Sequence, residues 1–158
     1  DVARFFLGFT QEESCGKCNP CRIGTQLVLE ILERICDGNG QPGDIPMLEE
    51  YCETIQKCSL CGLGKSAPNP VLSTLRYFRD EYEAHITEKR CPAGICKALV
   101  TYLIDDEKCK GCSVCIKNCP VGAITFVGKK EPVILDQEKC IKCGTCYDVC
   151  RLNAVIVR

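Results

Sequence analysis

Cysteines at regular spacing are the residues of this sequence that could do chemistry, and two groups of them share one pattern. Each group reads C-x2-C-x2-C-x3-C, and the second begins 31 positions after the first. Three thiolates on so tight a loop can bind one face of a cubane iron–sulfur cluster, while a fourth ligand must come from elsewhere in the fold. The two groups are Cys109, Cys112, Cys115 and Cys119, and then Cys140, Cys143, Cys146 and Cys150.

This arrangement is similar to that of the bacterial two-cluster ferredoxins, in which the last cysteine of each group binds the other group's cluster. The resemblance implies two 4Fe-4S clusters with exchanged fourth ligands. The first cluster set is then Cys109, Cys112, Cys115 and Cys150, and the second cluster set is Cys140, Cys143, Cys146 and Cys119. The alternative is a pair of zinc knuckles, because C-x2-C is also a zinc spacing, but two superposable groups of four cysteines favour clusters.

The similarity between the two halves extends beyond the cysteines. Residues 104–108, with the sequence IDDEK, match residues 135–139, with the sequence LDQEK. Such self-similarity predicts a duplicated unit with a pseudo-twofold axis and one cluster in each half. The halves differ after their last cysteine, where the first has Pro120 and the second has Arg151, so the two clusters need not share a reduction potential.

A third set of closely spaced cysteines lies near the start of the chain. Cys15, Cys18 and Cys21 again follow C-x2-C-x2-C, which suits three corners of a cubane. The fourth ligand of this cluster must come from further along the chain.

The surroundings of these cysteines resemble a known family. The string ESCGKCNPCR at 13–22 and the later CGLG at 61–64 resemble the cluster-binding helical domain of the NADH-oxidising flavoprotein subunits of respiratory complex I and of NAD-linked hydrogenases. The resemblance covers the part of the chain before the middle of the sequence. It implies a third 4Fe-4S cluster with the helical set of ligands, Cys15, Cys18, Cys21 and Cys61.

The chain continues beyond that domain into the ferredoxin part, and this extension is similar to the beta subunit of multimeric electron-bifurcating hydrogenases and of related NAD-dependent formate dehydrogenases. The resemblance implies an FMN and NAD(H) domain ahead of Asp1. The implied partners are a hydrogenase catalytic subunit, a thioredoxin-like 2Fe-2S subunit and soluble ferredoxin. The chain has no G-x-G-x-x-G loop of its own, and it starts at Asp1 without Met, so we interpret it as the C-terminal piece of a longer oxidoreductase subunit or as a processed chain.

Between the two cluster regions lie four further residues that could bind a metal: Cys58, His85, Cys91 and Cys96. His85 is the only histidine and lies shortly before the tight Cys91–Cys96 loop, so these residues could form a closed Cys3His structural zinc site. Zinc would fix the junction between the helical part and the ferredoxin part. Two alternatives stay open: a core histidine with unrelated thiols nearby, and a cluster with one histidine ligand.

Apolar residues at helical spacing predict a helical bundle for the first half of the chain. The predicted helices cover residues 2–13, Asn19 to the stop at 37–40, Asp44–Lys57, and the segment from Asn69 onward, with residues 58–64 as a loop without a helical turn. Asn19 is the predicted N-cap and Pro20 the first helical residue of the second helix. The side chains predicted to be buried are Phe5, Phe6, Phe9, Ile23, Leu27, Ile31, Ile35, Cys36, Leu48, Tyr51, Cys52, Ile55, Val71, Leu75, Phe78 and Tyr82.

From residue 98 the pattern changes to short apolar segments that predict strands. These are 98–104, 124–127, 132–135 and 154–157, with a turn at 128–130. The fold class is therefore α+β, with a helical bundle that binds an iron–sulfur cluster followed by a ferredoxin-like 2[4Fe-4S] domain. The predicted domains are a helical domain at 1–84, a junction with a zinc site at 85–98 and a ferredoxin domain at 99–158.

Composition narrows the possible functions. The 158 residues include 17 cysteines, an odd number at metal-ligand spacing without a signal peptide, which indicates a reducing cytoplasm instead of a secreted disulfide scaffold. A net charge of −1 argues against nucleic-acid binding, and no apolar segment is long enough to insert into a membrane. We predict an electron relay linking a flavin, the three clusters and partner subunits, in a hydrogenase, a formate dehydrogenase or a complex I-like assembly. The alternative from another class is a non-redox zinc-binding structural or adaptor protein.

Overall fold

Helices form the first half of the chain and short strands form much of the second, in a computed structural model that describes residues 1–128 and 130–158. The chain divides into two units, Asp1–Leu99 (the first unit) and Val100–Arg158 (the second unit). The α+β class predicted from the sequence is confirmed. None of the helices in the described part of the chain is long and apolar enough to span a membrane.

The first unit is built from helices around one apolar core. Helix α2 packs against α1 and α3, and α5 packs against the same two helices. Leu7, Val28, Leu48, Ile55 and Val71 are among the buried residues of this core. The elements are α1 (Val2–Glu12), α2 (Asn19–Cys36), α3 (Asp44–Cys58), α4 (Gly62–Ser66), α5 (Asn69–Tyr77), α6 (Arg79–Glu83), a π-helical turn (Ala84–Glu88) and a 3-10 turn (Lys97–Leu99).

The buried face of α1 differs from the prediction. Ala3 and Leu7 are buried, whereas Phe5, Phe6 and Phe9 are 70%, 49% and 57% exposed. An α-helix advances about 100° per residue, so Phe5 lies about 200° around the helix from both Ala3 and Leu7. The expectation that the three phenylalanines pack onto the following helices is therefore wrong.

The buried face of α2 matches the prediction only in the second half of the helix. Ile31 and Ile35 are buried, but Ile23 is 47% exposed and Leu27 is 39% exposed. Steps of four residues overshoot a full helical turn by about 40°, so a row of them winds gradually off the face of the helix. Val28, which is fully buried, takes the inner position at the level of Leu27.

The start of α2 and the loop after α3 also differ from the sequence-based expectations. Cys18 has the extended backbone of an N-cap residue, and the Asn19 side chain instead accepts a hydrogen bond of 2.8 Å from Arg22. The segment predicted as a loop without helical structure contains the start of α4 at Gly62. Phe78, predicted to be buried, is 52% exposed because the backbone leaves the helical conformation there, between α5 and α6.

The second unit contains two small antiparallel sheets, β1 with β4 and β2 with β3. All four predicted strands are present but shorter than expected, and the residues just before β1 form the 3-10 turn instead of a strand. The predicted turn at 128–130 includes Lys129, which lies outside the described residues. The elements are β1 (Tyr102–Ile104), α7 (Val114–Asn118), β2 (Ile124–Thr125), β3 (Ile134–Leu135), α8 (Thr145–Asp148) and β4 (Val155–Val157).

Each sheet takes one strand from each half of the sequence repeat. Strand β1 of the first half pairs with β4 of the second, and β2 of the first half pairs with β3 of the second. Two equivalent hydrogen bonds of 2.8 Å extend these pairs, from the Asp105 amide to the Ala154 carbonyl and from the Asp136 amide to the Ala123 carbonyl. The two halves are therefore interlocked and do not form separate lobes.

Candidate metal centres

The cysteines of the second unit line two separate cavities. The first cavity is lined by Cys109, Cys112, Cys115 and Cys150, together with apolar residues that include Ile104, Val133 and Val155. The second cavity is lined by Cys119, Cys140, Cys143 and Cys146, together with residues that include Tyr102, Ile124 and Leu135. Each cavity thus brings together three cysteines of one group and the last cysteine of the other, which are the two sets that the ferredoxin resemblance implies.

The interlocked sheets explain why the last cysteines change places. Cys119 lies just before β2, and the partner strand β3 leads into the loop that begins at Cys140. In the same way, Cys150 lies just before β4, whose partner β1 leads into the loop that begins at Cys109. Strand pairing across the repeat therefore carries each fourth thiol to the opposite cavity.

The thiols of these cavities are in surroundings that favour a bound metal. Burial raises the pKa of Cys146 to about 11 and also raises the pKa of Cys115, so without a cation these thiols would stay protonated. A metal reverses this preference, because a coordinating thiol loses its proton. Backbone amides point at several of the sulfurs, as a metal-bound thiolate requires: Ala154 to Cys150 at 3.3 Å, Ala123 to Cys119 at 3.3 Å, and Lys142 to Cys140 at 3.4 Å.

The helical set begins in a loop that is fastened to the first turn of α2. The Arg22 guanidinium donates to the Gly16 carbonyl at 3.1 Å and to the Asn19 side chain at 2.8 Å. The Ser14 hydroxyl accepts a hydrogen bond of 3.3 Å from the Gly16 amide and lies 3.4 Å from the sulfur of Cys21. These contacts hold the segment with Cys15 and Cys18 next to Cys21.

The loop that carries the fourth cysteine packs against this segment. A side chain at Gly64 would place its Cβ 2.6 Å from the Ser59 side chain and 3.2 Å from Cβ of Cys21, so only glycine fits. The Ser59 hydroxyl is buried, and in the described part of the structure it has no hydrogen-bond partner. A buried hydroxyl without a partner is costly, and a cluster with its sulfides and thiolates would supply the missing acceptor.

The remaining residues of the helical set lie around that contact. A hydrogen bond from the backbone of Leu60 is the main reason that the pKa of Cys18 is lowered, so the chain next to Cys61 reaches Cys18. Cys61 itself precedes α4 as its N-cap residue. Cys15 and Cys61 are exposed, Cys18 is half-buried and Cys21 is buried. The residues present fit a cluster that sits at the surface of the first unit.

A different kind of site occurs after α6. The ligand atoms of His85, Cys91 and Cys96, here called the junction group, all lie within 4.8 Å of one another, and all three residues are buried. In the part of the chain that the structure describes, no other group of three such residues is as close. A tetrahedral zinc ion with bonds of about 2.3 Å to sulfur brings its sulfurs to about 3.8 Å from each other, so this geometry suits a single ion.

The fourth residue of the predicted zinc site is not part of this group. Cys58 ends α3 and is exposed, and it does not join the three residues that converge. The cysteine beside the junction group is Cys36, which lines the same cavity of about 540 Å³ as the three ligands. Hydrogen bonding with Cys96 lowers the pKa of Cys36 to about 6, and the same bond together with burial raises the pKa of Cys96. Two thiols that share a proton in this way are in direct contact, and a cation could replace the proton.

Sequence reasoning missed Cys36 because its position on α2 also suits a residue of the apolar core. Only its place at the end of the helix, just before the stop at Asp37, distinguished it from Cys52. Cys52 does belong to the core, where burial raises its pKa to about 12.

The orientation of His85 also suits metal binding. Its Nδ1 lies 2.6 Å from the Glu81 carbonyl oxygen, and this contact requires the proton on Nδ1. The other ring nitrogen, Nε2, is then the free acceptor, which is the arrangement that metal-binding histidines usually have. The π-helical turn Ala84–Glu88 places the histidine there, and such turns occur often at functional sites.

Comparison with known proteins agrees with this organisation. The family described as the NADH-ubiquinone oxidoreductase-F iron-sulfur binding region matches residues 1–85, and a 4Fe-4S dicluster domain matches residues 101–151. Both families are iron–sulfur regions, which argues against zinc knuckles at the cysteine groups.

Individual relatives are enzymes of two related kinds. The NADP-reducing hydrogenase subunit HndC of Solidesulfovibrio fructosivorans is 52% identical over 131 residues, which are 83% of this chain and 26% of that protein. A subunit of the NADH-quinone oxidoreductase of Streptomyces coelicolor is 46% identical over 84 residues, which are 53% of this chain and 19% of that protein. A solved structure of an NAD+-reducing [NiFe]-hydrogenase in the H2-reduced state matches with a TM-score of 0.52 and 38% identity, over 54% of this chain and 15% of that chain.

Fold and cysteine placement thus define an iron–sulfur region of the kind found in oxidoreductase subunits. The first of the two families matches more than half of the chain, and the chain belongs to this family, the NADH-ubiquinone oxidoreductase-F iron-sulfur binding region, here followed by a 4Fe-4S dicluster domain. The chain spans only 15% to 26% of the length of the three relatives described above.

Gly64 provides a test of the helical set. We expect Gly64→Ala to prevent loading of this one cluster, because the added Cβ would lie 2.6 Å from Ser59 and force the loop away from Cys21. Iron per chain should fall by about four atoms, measured by iron and sulfide analysis of anaerobically purified protein. Gly62→Ala is the matched control, since a Cβ at Gly62 meets nothing within 4 Å, and it should keep full iron. Equal iron loss in both variants would contradict the assignment.

Exchange of the last cysteines is tested by two reciprocal variants. Cys119→Ser should damage the cluster of the Cys140 group and spare that of its own group, because Cys119 lines the second cavity. Cys150→Ser should do the opposite. Electron paramagnetic resonance (EPR) spectra of the reduced variants, compared with those of Cys109→Ser and Cys140→Ser, identify the damaged cluster. Crossed ligation is wrong if Cys119→Ser gives the spectrum of Cys109→Ser.

Proposed function

We propose that this chain is the iron–sulfur relay of an NAD(P)-linked hydrogenase subunit, with three 4Fe-4S clusters bound by the helical set, the first cluster set and the second cluster set. The observation that carries the proposal is that two cavities of the second unit each collect three cysteines of one group and the last cysteine of the other. Two separate zinc knuckles would have no need for this exchange. The clusters, when bound, accept and release electrons one at a time.

The chain's own residues determine how far apart the two ferredoxin clusters lie. Cys115 lines the first cavity and Cys119, just beyond α7, lines the second. Four residues of α-helix rise only about 6 Å, so a single short helix joins ligands of both clusters. Cys146 and Cys150 do the same through α8, in the reverse direction. Two such links keep the clusters close and at a fixed distance, which suits transfer of electrons between them.

The rest of the proposal concerns the complete protein and its partners. We infer that FMN and NAD(H) bind in a domain outside this chain, and that the helical-domain cluster exchanges electrons with that flavin. A hydrogenase catalytic subunit, a thioredoxin-like 2Fe-2S subunit and soluble ferredoxin are the inferred partners, and electron bifurcation is the inferred overall process. Support comes from two of the relatives, an NADP-reducing and an NAD+-reducing hydrogenase. A reducing cytoplasm is the inferred location, because all the cysteines must stay available as thiolates.

The relay is tested by counting iron and electrons together. Anaerobically purified protein should contain about twelve iron atoms and twelve sulfides per chain, and a reductive titration should consume about three electrons. Loss of absorbance in the visible region during the titration measures the second number. About eight iron atoms with two electrons would remove the helical-domain cluster from the proposal, and a colourless protein that contains only zinc would contradict it entirely.

We further propose that a zinc ion binds to Cys36, His85, Cys91 and Cys96. These residues come from the end of α2, the π-helical turn and the loop that follows it, so one ion would join three segments of the first unit. A closed site of this type contributes to folding and has no open position for catalysis. Hydrogen bonds already prepare the site, from the Cys96 amide to the sulfur of Cys91 at 3.5 Å and between His85 and the Glu81 carbonyl.

Elemental analysis tests the zinc site with a direct comparison of two cysteines. His85→Ala and Cys36→Ser should each remove about one zinc per chain while iron stays constant, because neither residue belongs to a cluster set. Cys58→Ser should retain the zinc, since Cys58 lies outside the junction group. Zinc loss in Cys58→Ser but not in Cys36→Ser would overturn the choice of the fourth ligand, and absence of zinc from fully iron-loaded protein would overturn the site.

A further inference from the structure

Two matched positions beside the ferredoxin clusters differ by a single hydroxyl group. Thr145 and Val114 occupy the same place in the two halves of the repeat, directly before the third cysteine of each group. Each is the first residue of its helix, α8 or α7, and each follows a residue with left-handed backbone, Gly144 at φ 81° or Ser113 at φ 62°. Threonine and valine have nearly the same shape, so the structure itself provides a comparison of one cluster with and without this hydroxyl.

In the second half the hydroxyl contacts a cluster ligand. Oγ1 of Thr145 lies 3.3 Å from the sulfur of Cys143. A metal-bound thiolate has no proton, so in the loaded protein the hydroxyl must be the donor and the sulfur the acceptor. The corresponding residue of the first half, Val114, has no side-chain group that could donate to Cys112.

No neighbouring hydroxyl takes over this function in the first half. Ser113 precedes Val114, but its hydroxyl donates to the Gly111 carbonyl at 3.3 Å. The backbone donors next to the last cysteines do not distinguish the clusters, because the bonds from Ala154 to Cys150 and from Ala123 to Cys119 are both 3.3 Å long. The Thr145 hydroxyl therefore stands out among hydrogen bonds that are otherwise matched.

A hydrogen bond of this kind changes a reduction potential in a known direction. Reduction adds negative charge to a cluster and its thiolates, and a donor at a ligand sulfur stabilises that charge more strongly in the reduced state. The potential of the cluster therefore rises. Arg151, next to Cys150, acts in the same direction on the first cluster, but it is exposed and its charge is screened by water and salt.

We propose that Thr145 is a positioning residue that raises the reduction potential of the second cluster set, through Cys143, and so makes that cluster the preferred electron acceptor of the ferredoxin pair. This inference rests on the proposed relay. Val114 leaves the first cluster set at the lower potential. Electrons that arrive at the pair then settle on the cluster bound by Cys119, Cys140, Cys143 and Cys146.

The size of the effect follows from the usual contribution of one hydrogen bond. A single bond typically changes an equilibrium by roughly three- to tenfold, so the ratio in which the two clusters share one electron should change by that factor. For a one-electron couple, tenfold corresponds to about 59 mV. Shifts of this size are readily measured in a redox titration.

The test is a redox titration of the anaerobic holoprotein followed by EPR, with iron and sulfide measured on the same samples. Thr145→Val should lower the higher of the two ferredoxin potentials and leave the iron content unchanged. Thr145→Ser retains the hydroxyl and should stay close to the original potential, which separates the hydrogen bond from a packing effect. Val114→Thr should raise the other, lower potential.

Each outcome decides between the two proposals. Unchanged potentials in Thr145→Val, or an equal decrease in Thr145→Ser, would overturn the inference while the relay stands, because both clusters are then present but indifferent to the hydroxyl. If Thr145→Val fails to load its cluster, Val114→Thr decides, and no rise in the lower potential overturns the inference. A wild-type protein without the two ferredoxin clusters would overturn both the relay and the inference.

Discussion

The structure depends on one geometric constraint, that four thiolates must meet around each cluster although a tight loop can supply only three of them. Every cluster site therefore needs a fourth cysteine from a distant part of the chain, and the fold is arranged to deliver it. In the second unit the interlocked sheets do so, since β2 and β4 carry Cys119 and Cys150 to the loops that follow β3 and β1. In the first unit the packing of Gly64 against Ser59 and Cys21 brings in the loop of Cys61.

The same constraint makes metal binding part of folding. The strands of the second unit contain only two or three residues each, so backbone pairing and apolar burial are limited there. Several of the thiols are buried and would remain protonated and poorly solvated without a cation. Bound clusters supply the missing cross-links, and their binding free energy then appears as folding free energy. The first unit has a larger apolar core of its own, and its candidate zinc site joins segments at the edge of that core.

Spacing of the cysteines predicted far more of this molecule than apolar patterning did. The ligand groups, the α+β class and the approximate positions of the helices follow from local signals, because a loop that binds a cluster needs a fixed order of residues. Which helix face is buried does not follow, as Phe5 and Ile23 illustrate, because the face depends on partners that the sequence does not identify. Exchanging Cys58 for Cys36 beside His85 has the same origin, since the end of α2 meets the π-helical turn only through tertiary packing. The contact of Thr145 with Cys143 also required coordinates, although its alignment with Val114 is visible in the repeat.

Anomalous scattering from crystals of the anaerobic protein, recorded at the iron and zinc edges, tests the central claim most directly. The account predicts three compact four-iron peaks, one at each cluster set, with Cys119 and Cys150 each at the cluster of the opposite group. It also predicts a single peak beside Cys36, His85, Cys91 and Cys96 that is present at the zinc edge and absent at the iron edge. Two four-iron peaks with the last cysteines bound within their own groups, or zinc at the cysteine groups, would contradict it.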